Sequence, residues 1–394
     1  MTLLLILFLI VLYFSLSTSK KGNPRKKFII IASFLMILLS GLRHEGVGND
    51  TLATMLKFEE AASFSWKEVL SDFWLKYTSP DEYIGKDPGE SIFYKVLSLF
   101  TSDSRVFLFV VAIIVLTSFG FFVYCNTKSL RTILFSYIYY ITLSYGYIPN
   151  SAFRQSMAFA ILLPALIMLN NEKYAKFLLL LAIASIFHKS VLIAFVLLPL
   201  MFVKKVKEIY WLCLLPFLIF FFYYQPVGIF LAGFSDIYEG YTSANYYLNR
   251  SLPIMVILMV LGLYLYVGLF FKKEAIGKNI LYIYGTALTL IFVPLIRIDP
   301  SALRLISYFA VLMGIQVGNT SHNSKSMRTL YWIIIAIFVG KAALTPDDGY
   351  RFMWQQKKLH ERYSILQTPS KRSTKQGIKV IEIKSLEQNN SFKA

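Results

Sequence analysis

Arginine, histidine and carboxylate side chains recur in four short clusters, each at the boundary of a long apolar run. The clusters are Arg43-His44-Glu45 with Asp50, Arg154-Gln155, His188-Lys189-Ser190, and Arg297 with Asp299 and Arg304. Guanidinium groups carry a planar fork of N–H donors that matches the oxygens of a phosphate group. If the clusters meet in space, their four arginines and Gln155 form a binding site for a phosphorylated ligand. The alternative is that each arginine anchors its own apolar segment at an interface.

His188, Glu45 and Asp50 are the side chains of these clusters that suit a general base. A base in hydrogen-bond reach of a hydroxyl group removes its proton during attack. A single histidine is more often structural, so His188 is open to two interpretations: a base, or a break between two helices. No set of His, Cys, Asp and Glu has the spacing of a metal site, and glycine-rich nucleotide-binding loops are missing. We therefore expect neither a metal nor a cofactor.

The segments that must position these clusters are strongly apolar. The 394 residues are 56% hydrophobic and only 16% charged, with a mean hydropathy of +0.57. Soluble domains are about a quarter charged, and runs of about 17–25 apolar residues are typical of membrane-spanning helices. About twelve such runs can be counted, at 3–17, 28–42, 105–125, 132–148, 151–169, 174–187, 190–203, 209–224, 253–271, 279–296, 302–318 and 329–344. The sequence predicts an all-α, polytopic membrane domain over residues 1–345, with a GT-C-like architecture.

The basic residues predict the orientation of these helices. The net charge is +18, but the charges lie in short loops between apolar runs, which favours membrane topology over nucleic-acid binding. Lys and Arg are enriched in cytoplasmic loops, and the first loop holds five of them without an acidic residue. Every second loop after it is also basic if 174–203 breaks into two passes at His188. All four polar clusters then face the outer side of the membrane.

Two long segments are predicted on that outer side. Residues 43–104 contain eleven Asp and Glu against six Lys and Arg. Within them, Ser65 and Glu68 have the spacing of a capping box, which predicts a helix over 65–77. Its apolar stripe consists of Trp66, Val69, Leu70, Phe73, Trp74 and Tyr77. We expect this helix to lie in the lipid headgroups, or else to pack on the rest of the protein.

The second outer segment, 225–252, contains Tyr238 and Tyr241. These rings suit stacking on sugars, and they equally suit an aromatic belt at the membrane interface. The C-terminal tail, 346–394, is polar and basic and is predicted to be disordered. Alternation of the predicted helices across the membrane places the tail on the outer side.

The clusters resemble the motifs of the EpsG-type branch of Wzy-like polysaccharide polymerases. The matching residues are Arg43 with Gly46 and Asp50, Pro88-Gly89-Glu90 with Phe93 and Leu97, Arg154-Gln155 with Ala158, His188-Lys189-Ser190, and Arg304 with Tyr308 and Phe309. The resemblance covers about residues 28–320 and rests on the order of short motifs. The chain departs from the family pattern at Asn49-Asp50-Thr51, where an aromatic residue is expected soon after the aspartate.

The resemblance implies a glycosyltransferase of the bacterial inner membrane. Such enzymes transfer a growing glycan from undecaprenyl pyrophosphate to a sugar hydroxyl of the next lipid-linked repeat unit, making O-antigen, capsule or exopolysaccharide. On this interpretation Arg43, Arg154, Arg297, Arg304 and Gln155 hold the pyrophosphate, and Tyr308, Tyr238 and Tyr241 contact sugars. The partners would be the lipid-linked oligosaccharide, membrane lipids and, as is usual in the family, a chain-length regulator. Nucleic acid is not expected as a partner.

Two other functions remain open from the residues. A glycosyltransferase that uses a polyprenyl monophosphate sugar would rely on acidic residues such as Glu45 and Asp50. A flippase for lipid-linked oligosaccharides would distribute charges through the bilayer. The gathering of the clusters at one predicted face disfavours transport.

Overall fold

The fold is all-helical over the residues that the computed structural model describes. These are 1–19, 22–48, 50–78, 87–232, 253–270, 276–298, 302–322, 324–344 and 350–354. They belong to one compact unit, Met1–Gln356, and a second unit, Lys357–Ala394, lies wholly outside them. Tyr238, Tyr241, Asp299 and most of the predicted tail also lie outside the described residues.

The helices follow the predicted apolar runs, with several extra helices outside them. They are α1 (Thr2–Thr18), α2 (Pro24–Gly41), α3 (Thr51–Ser63), α4 (Trp66–Thr78), α5 (Gly89–Ser98), α6 (Ser104–Asn126), α7 (Leu130–Tyr140), α8 (Phe153–Asn170), α9 (Tyr174–Phe187), α10 (Leu197–Leu200), α11 (Val206–Leu212), α12 (Leu214–Phe222), α13 (Tyr224–Ala232), α14 (Ile254–Leu269), α15 (Ile276–Phe292), α16 (Leu303–Thr320) and α17 (Lys325–Leu344). A π-helix over Ile141–Tyr145 follows α7, and 3₁₀-helices span Lys189–Val196 and Val293–Arg297.

The protein is a multi-pass membrane protein, but the predicted number of about twelve spans is not confirmed. In the described part of the chain, four helices are long and apolar enough to cross a bilayer: Ser104–Asn126, Phe153–Asn170, Asn279–Arg297 and Lys325–Leu344. A fifth span is possible if Val206–Phe222 and Tyr224–Phe230, bent by 88°, count as one. Four other apolar helices have fewer than 18 residues. The GT-C-like architecture likewise stays a prediction.

The helix that carries Arg304 and Tyr308 packs closely on its neighbour. α15 and α16 form one of the most extensive helix pairs of the fold. At Gly285 of α15, an added Cβ would lie 2.3 Å from the Cβ of Leu312 on α16. Only glycine allows this approach, which fixes α16, and hence the start of that helix, against the core.

The outer segment folds into three helices, α3, α4 and α5. The predicted capping box is present: the Ser65 amide donates to Oε2 of Glu68 at 2.7 Å, and the Glu68 amide to Oγ of Ser65 at 3.3 Å. Of the predicted stripe, Val69 is buried whereas Leu70 and Trp74 are exposed. Part of α4 therefore packs on protein, and its place in the headgroup layer stays a prediction.

The segment 350–354, after the last helix, returns to the end of α2. Phe352 and Arg43 form an antiparallel bridge. The His44 amide donates to the carbonyl of Arg351 at 2.8 Å, and the Met353 amide to that of Leu42 at 3.0 Å. This pairing puts residues 350–354 at the same end of the helices as Arg43.

Candidate functional site

A single carboxylate, that of Asp87, joins two of the predicted clusters. Its Oδ2 lies 2.9 Å from Nη1 of Arg154 and 3.0 Å from Nδ1 of His188. Its Oδ1 accepts the backbone amide of Lys189 at 3.4 Å. The Asp87 side chain is only 4% exposed, while Arg154 is 34% and His188 15% exposed. The result is a buried anion that holds two partly accessible functional groups.

Local backbone structure explains how Asp87 reaches this position. Asp87 lies just ahead of Pro88 and the first turn of α5, and α5 crosses the end of α9 at Gly89. A Cβ at Gly89 would lie 3.1 Å from the carbonyl oxygen of Ile186. This approach carries the aspartate to the residues that follow Ile186, where His188 ends α9.

The predicted helix break at His188 is confirmed. α9 ends at Phe187, His188 has an extended backbone (φ −160°, ψ 111°), and a 3₁₀-helix begins at Lys189. The extended residue frees the amide of Lys189 from α-helical bonding, and that amide points to Asp87. His188 is therefore both a structural break and a side chain of the site, so the two interpretations of this residue are compatible.

The charges around Asp87 outweigh its burial. Burial raises the pKa of this carboxyl group, but hydrogen bonding and charge from His188, the charge of Arg154 and the Lys189 amide together hold its pKa below the ordinary value. An ionised carboxylate only accepts hydrogen bonds, so Nδ1 of His188 must be the protonated donor. When the ring is neutral, the other ring nitrogen, Nε2, holds the lone pair and is the atom that can take up a proton.

Tyr308 and Arg304 lie next to this group. The hydroxyls of Ser190 and Tyr308 are 3.1 Å apart, and Asp87 and Arg304 both act electrostatically on the Tyr308 hydroxyl. Nε of Arg304 donates to the hydroxyl of Tyr147. The third and fourth clusters thus meet around Tyr308, one turn of α16 after Arg304.

Gln155 connects the second cluster to the fourth. Its Nε2 donates to the carbonyl of Arg304 at 2.9 Å, which ties the start of α8 to the start of α16. The Gln155 side chain is buried, and within the described residues its Oε1 has no hydrogen-bond partner. Because Gln155 follows Arg154, this bond links the segment that carries Arg154 to the segment that carries Arg304.

Arg43 belongs to an adjoining buried cluster. Its Nη1 donates to the carbonyl of Ser40 at 2.6 Å, and Oγ of Ser40 donates to Oδ1 of Asn150 at 2.7 Å. Asn150 lies in the loop that leads into α8 and Arg154. Within the described residues, Nε of Arg43 and Nε2 of His44 are buried without hydrogen-bond partners. The cluster therefore holds buried nitrogen atoms whose hydrogen bonds are not made within the described residues.

A glycine fixes the loop between these clusters. Gly48 has φ +91°, a value that favours glycine. An added Cβ would lie 2.1 Å from the carbonyl oxygen of Asn150. That same carbonyl accepts the hydroxyl of Thr51 at 2.8 Å, so the segment after Arg43 packs directly on the loop that leads to Arg154.

The remaining predicted residues that the structure describes do not contact the Asp87 group in any bond described above. The guanidinium of Arg297 stacks on Tyr224, 3.5 Å from the ring centroid. Glu45 is buried, and Asp50 is exposed at the start of α3 without capping it. The structure thus brings together Arg154, Gln155, His188, Arg304 and Tyr308, with Arg43 beside them.

Asp87 is the residue that sequence reasoning missed. It was one of eleven acidic residues in the outer segment, and no role was assigned to it. A signal was present, because Asp87 directly precedes the Pro88-Gly89-Glu90 motif. An acidic residue beside a motif shared with enzymes is a reasonable candidate for orienting a histidine, but nothing in the spacing points to His188.

A comparison with protein families identifies the family of this chain. The model of the EpsG family matches residues 26–346, which include every residue of the Asp87 group. No curated protein and no solved structure matches the chain. Since the match covers most of the sequence, this chain belongs to the EpsG family, a family of membrane polysaccharide polymerase-like glycosyltransferases.

Proposed function

We propose that the protein is a polysaccharide polymerase at the outer face of the bacterial inner membrane. It transfers a growing glycan from undecaprenyl pyrophosphate to a terminal hydroxyl of the next lipid-linked repeat unit. The observation that carries the proposal is the sharing of Asp87 by Arg154 and His188. One carboxylate thereby orients a cation suited to the leaving diphosphate and an imidazole suited to the attacking hydroxyl.

In the proposed reaction, the bond between the anomeric carbon of the glycan and the pyrophosphate oxygen breaks. The acceptor oxygen forms the new bond to that carbon, and its proton passes to Nε2 of His188. Undecaprenyl pyrophosphate leaves with its negative charge stabilised by Arg154 and Arg304. Arg154 gives one N–H group to Asp87, and a guanidinium has further donors to offer a phosphate.

The preorganised charges account for the catalytic effect. Donors fixed in advance at the site of developing charge contribute a factor of about 100–1,000 each. Asp87 is buried and ionised, so it fixes both partners before substrate binds. Ser190, two residues after the base, places a partly accessible hydroxyl where it suits binding of the acceptor sugar. The buried Tyr308, predicted to contact sugars, is fully covered by protein and instead positions the Ser190 hydroxyl.

The direct test uses a strain in which the gene is deleted and then restored as a variant. Surface polysaccharide is separated on a gel beside lipid-linked intermediates. With Arg154→Ala or His188→Gln, we expect single repeat units and no long chains, while immunoblots of membranes show normal protein levels. Long chains of normal length in both variants would contradict the proposal.

Two further measurements separate the polymerase from the other two functions. A deletion strain that accumulates repeat units on the cytoplasmic side, with none outside, would indicate a flippase. Incorporation of single sugars from a polyprenyl monophosphate donor by the purified protein would indicate the other class of glycosyltransferase. If the protein is a polymerase, we expect neither of these two results.

A further inference from the structure

The segment 350–354 carries three aromatic side chains on one face. Tyr350, Phe352 and Trp354 occupy alternate positions, and the contacts between their rings place them side by side. The rings of Tyr350 and Phe352 meet edge to face at 5.2 Å, and those of Phe352 and Trp354 stack at 4.6 Å with an interplanar angle of 5°. We call these three residues the aromatic strip.

The aromatic strip is held firmly against the Arg43 cluster. The main-chain bonds from His44 and Met353 flank the pair of Arg43 and Phe352. This pattern makes Arg43 and Phe352 a non-hydrogen-bonded antiparallel pair, in which opposite side chains approach most closely. The hydroxyl of Tyr350 also donates to the carbonyl of Leu39. The strip is therefore fixed at both its main chain and its first ring.

The strip extends outward from the buried arginine. Phe352 lies opposite Arg43, and Trp354 follows two residues later, in a turn. Trp354 is 65% exposed although one of its faces is stacked on Phe352. A flat indole surface is thus presented a short distance from a cluster of N–H donors.

We infer that the aromatic strip is a carbohydrate-stacking subsite, in which Trp354 binds a sugar ring of the lipid-linked glycan. This inference rests on the proposed function for the identity of the glycan. The C–H face of a pyranose packs on an aromatic ring, and the indole N–H remains available for a hydroxyl. A ring already stacked on Phe352 is preorganised, so little conformational freedom is lost when the sugar binds.

The surroundings favour a sugar over the bilayer as the occupant. The strip pairs with the polar stretch Arg43-His44, and Arg351 within it is exposed. A lipid-facing anchor would instead share its face with exposed apolar side chains, as Trp74 does beside Leu70 and Leu75 on α4. Trp74 is 63% exposed, which makes it a matched control for Trp354.

The test measures binding of the repeat-unit oligosaccharide, released from its lipid by mild acid, to the full-length protein in nanodiscs. We expect Trp354→Leu to weaken binding by between about twofold and about tenfold. Trp354→Phe, which retains a ring, should bind nearly as the wild type. Trp74→Leu should leave binding unchanged.

The outcomes distinguish this inference from the proposed function. Arg154→Ala should lose polymerisation but keep the Trp354-dependent binding of the lipid-free oligosaccharide. Equal binding by Trp354→Leu and wild type would overturn the subsite, whatever the activity. Equal weakening by Trp354→Leu and Trp74→Leu would also overturn it, because both rings would then act through the bilayer. Wild-type polymerisation by Arg154→Ala would contradict the proposed function and leave the subsite standing.

Discussion

The carboxylate of Asp87 lies 3.0 Å from Nδ1 of His188, across 101 positions of sequence. This contact fixes the ring of a histidine that otherwise stands alone at a helix break. It also sets which nitrogen carries the proton, since an ionised carboxylate can only accept. The relationship makes Asp87 the positioning residue of the site and leads to the first prediction.

Asp87→Asn should reduce polymerisation by at least about tenfold, because asparagine no longer favours the proton on Nδ1 of His188; the equivalent change in a Ser-His-Asp triad lowers kcat about 10⁴-fold. The amide lacks the charge that holds His188 and Arg154. The measurement is the rate of chain extension by purified protein with lipid-linked repeat units. Asp103→Asn is the control, because Asp103 only caps α6 through the amide of Arg105 and asparagine caps equally well. Full activity of Asp87→Asn would show that the contact has no catalytic role.

The lowered pKa of Asp87 predicts a dependence of stability on acid. A carboxyl group whose folded pKa lies below its unfolded value stabilises the fold above the unfolded pKa, and the contribution is lost as the pH falls through the folded pKa. The ordinary value is 3.8. The difference in melting temperature between wild type and Asp87→Asn should therefore persist at about pH 5 and shrink as the pH falls below 3.8. A difference that vanishes between pH 7 and 5 would refute this assignment.

Gln155 should matter for both stability and activity. Gln155→Leu removes the hydrogen bond from Nε2 of Gln155 to the carbonyl of Arg304, and the net loss of one such bond costs about 0.5–1.5 kcal/mol. Because the bond joins α8 to α16, Arg304 should also lose its alignment with Arg154. We expect a lower melting temperature and slower chain extension. If only the melting temperature fell, the bond would be purely structural.

Gly48→Ala should destabilise the protein strongly, since the new Cβ would collide with Asn150 and the backbone has φ +91°. Strain of this kind costs about 1–3 kcal/mol. Gly146→Ala is the matched control in the same region, because nothing lies within 4 Å of its added Cβ. Thermal unfolding of both variants in detergent checks the prediction, and equal stability would contradict the close approach at Gly48.

The orientation of the chain can be tested through cysteine labelling. In a background without Cys125 and Cys213, a cysteine in place of Trp354 should react with a membrane-impermeant maleimide added to intact spheroplasts. A cysteine in place of Lys325, in a predicted cytoplasmic loop, should react only after lysis. The opposite pattern would invert the predicted topology and remove the basis for an outer-face enzyme.

Sequence periodicity was sufficient for features that depend on neighbouring residues. The capping box at Ser65 and the helix break at His188 follow from local rules, and both are present. The apolar runs indicated helices correctly, but not how many are long enough to span a bilayer. The helix Tyr174–Phe187, for example, has only 14 residues, fewer than the roughly 20 that a bilayer core requires.

Contacts between distant segments could not be read from the sequence. Asp87 follows a turn-rich stretch in which every acidic residue is equally plausible, and its partners are set by the packing of Gly89 on Ile186. The aromatic strip was hidden for a similar reason. Its residues lie within the tail that was predicted to be disordered over 346–394, and main-chain pairing with Leu42 and His44 leaves no side-chain signature.

The bridge between Arg43 and Phe352 has a consequence for biogenesis. The hydroxyl of Tyr350 bonds to a residue 311 positions earlier, so this junction cannot close until the last helix has been synthesised and inserted. A chain truncated after the final helix would therefore keep the helices described above and lose the main-chain partner of Arg43. Residues 350–354 thus complete the surroundings of an arginine that is synthesised more than 300 residues earlier.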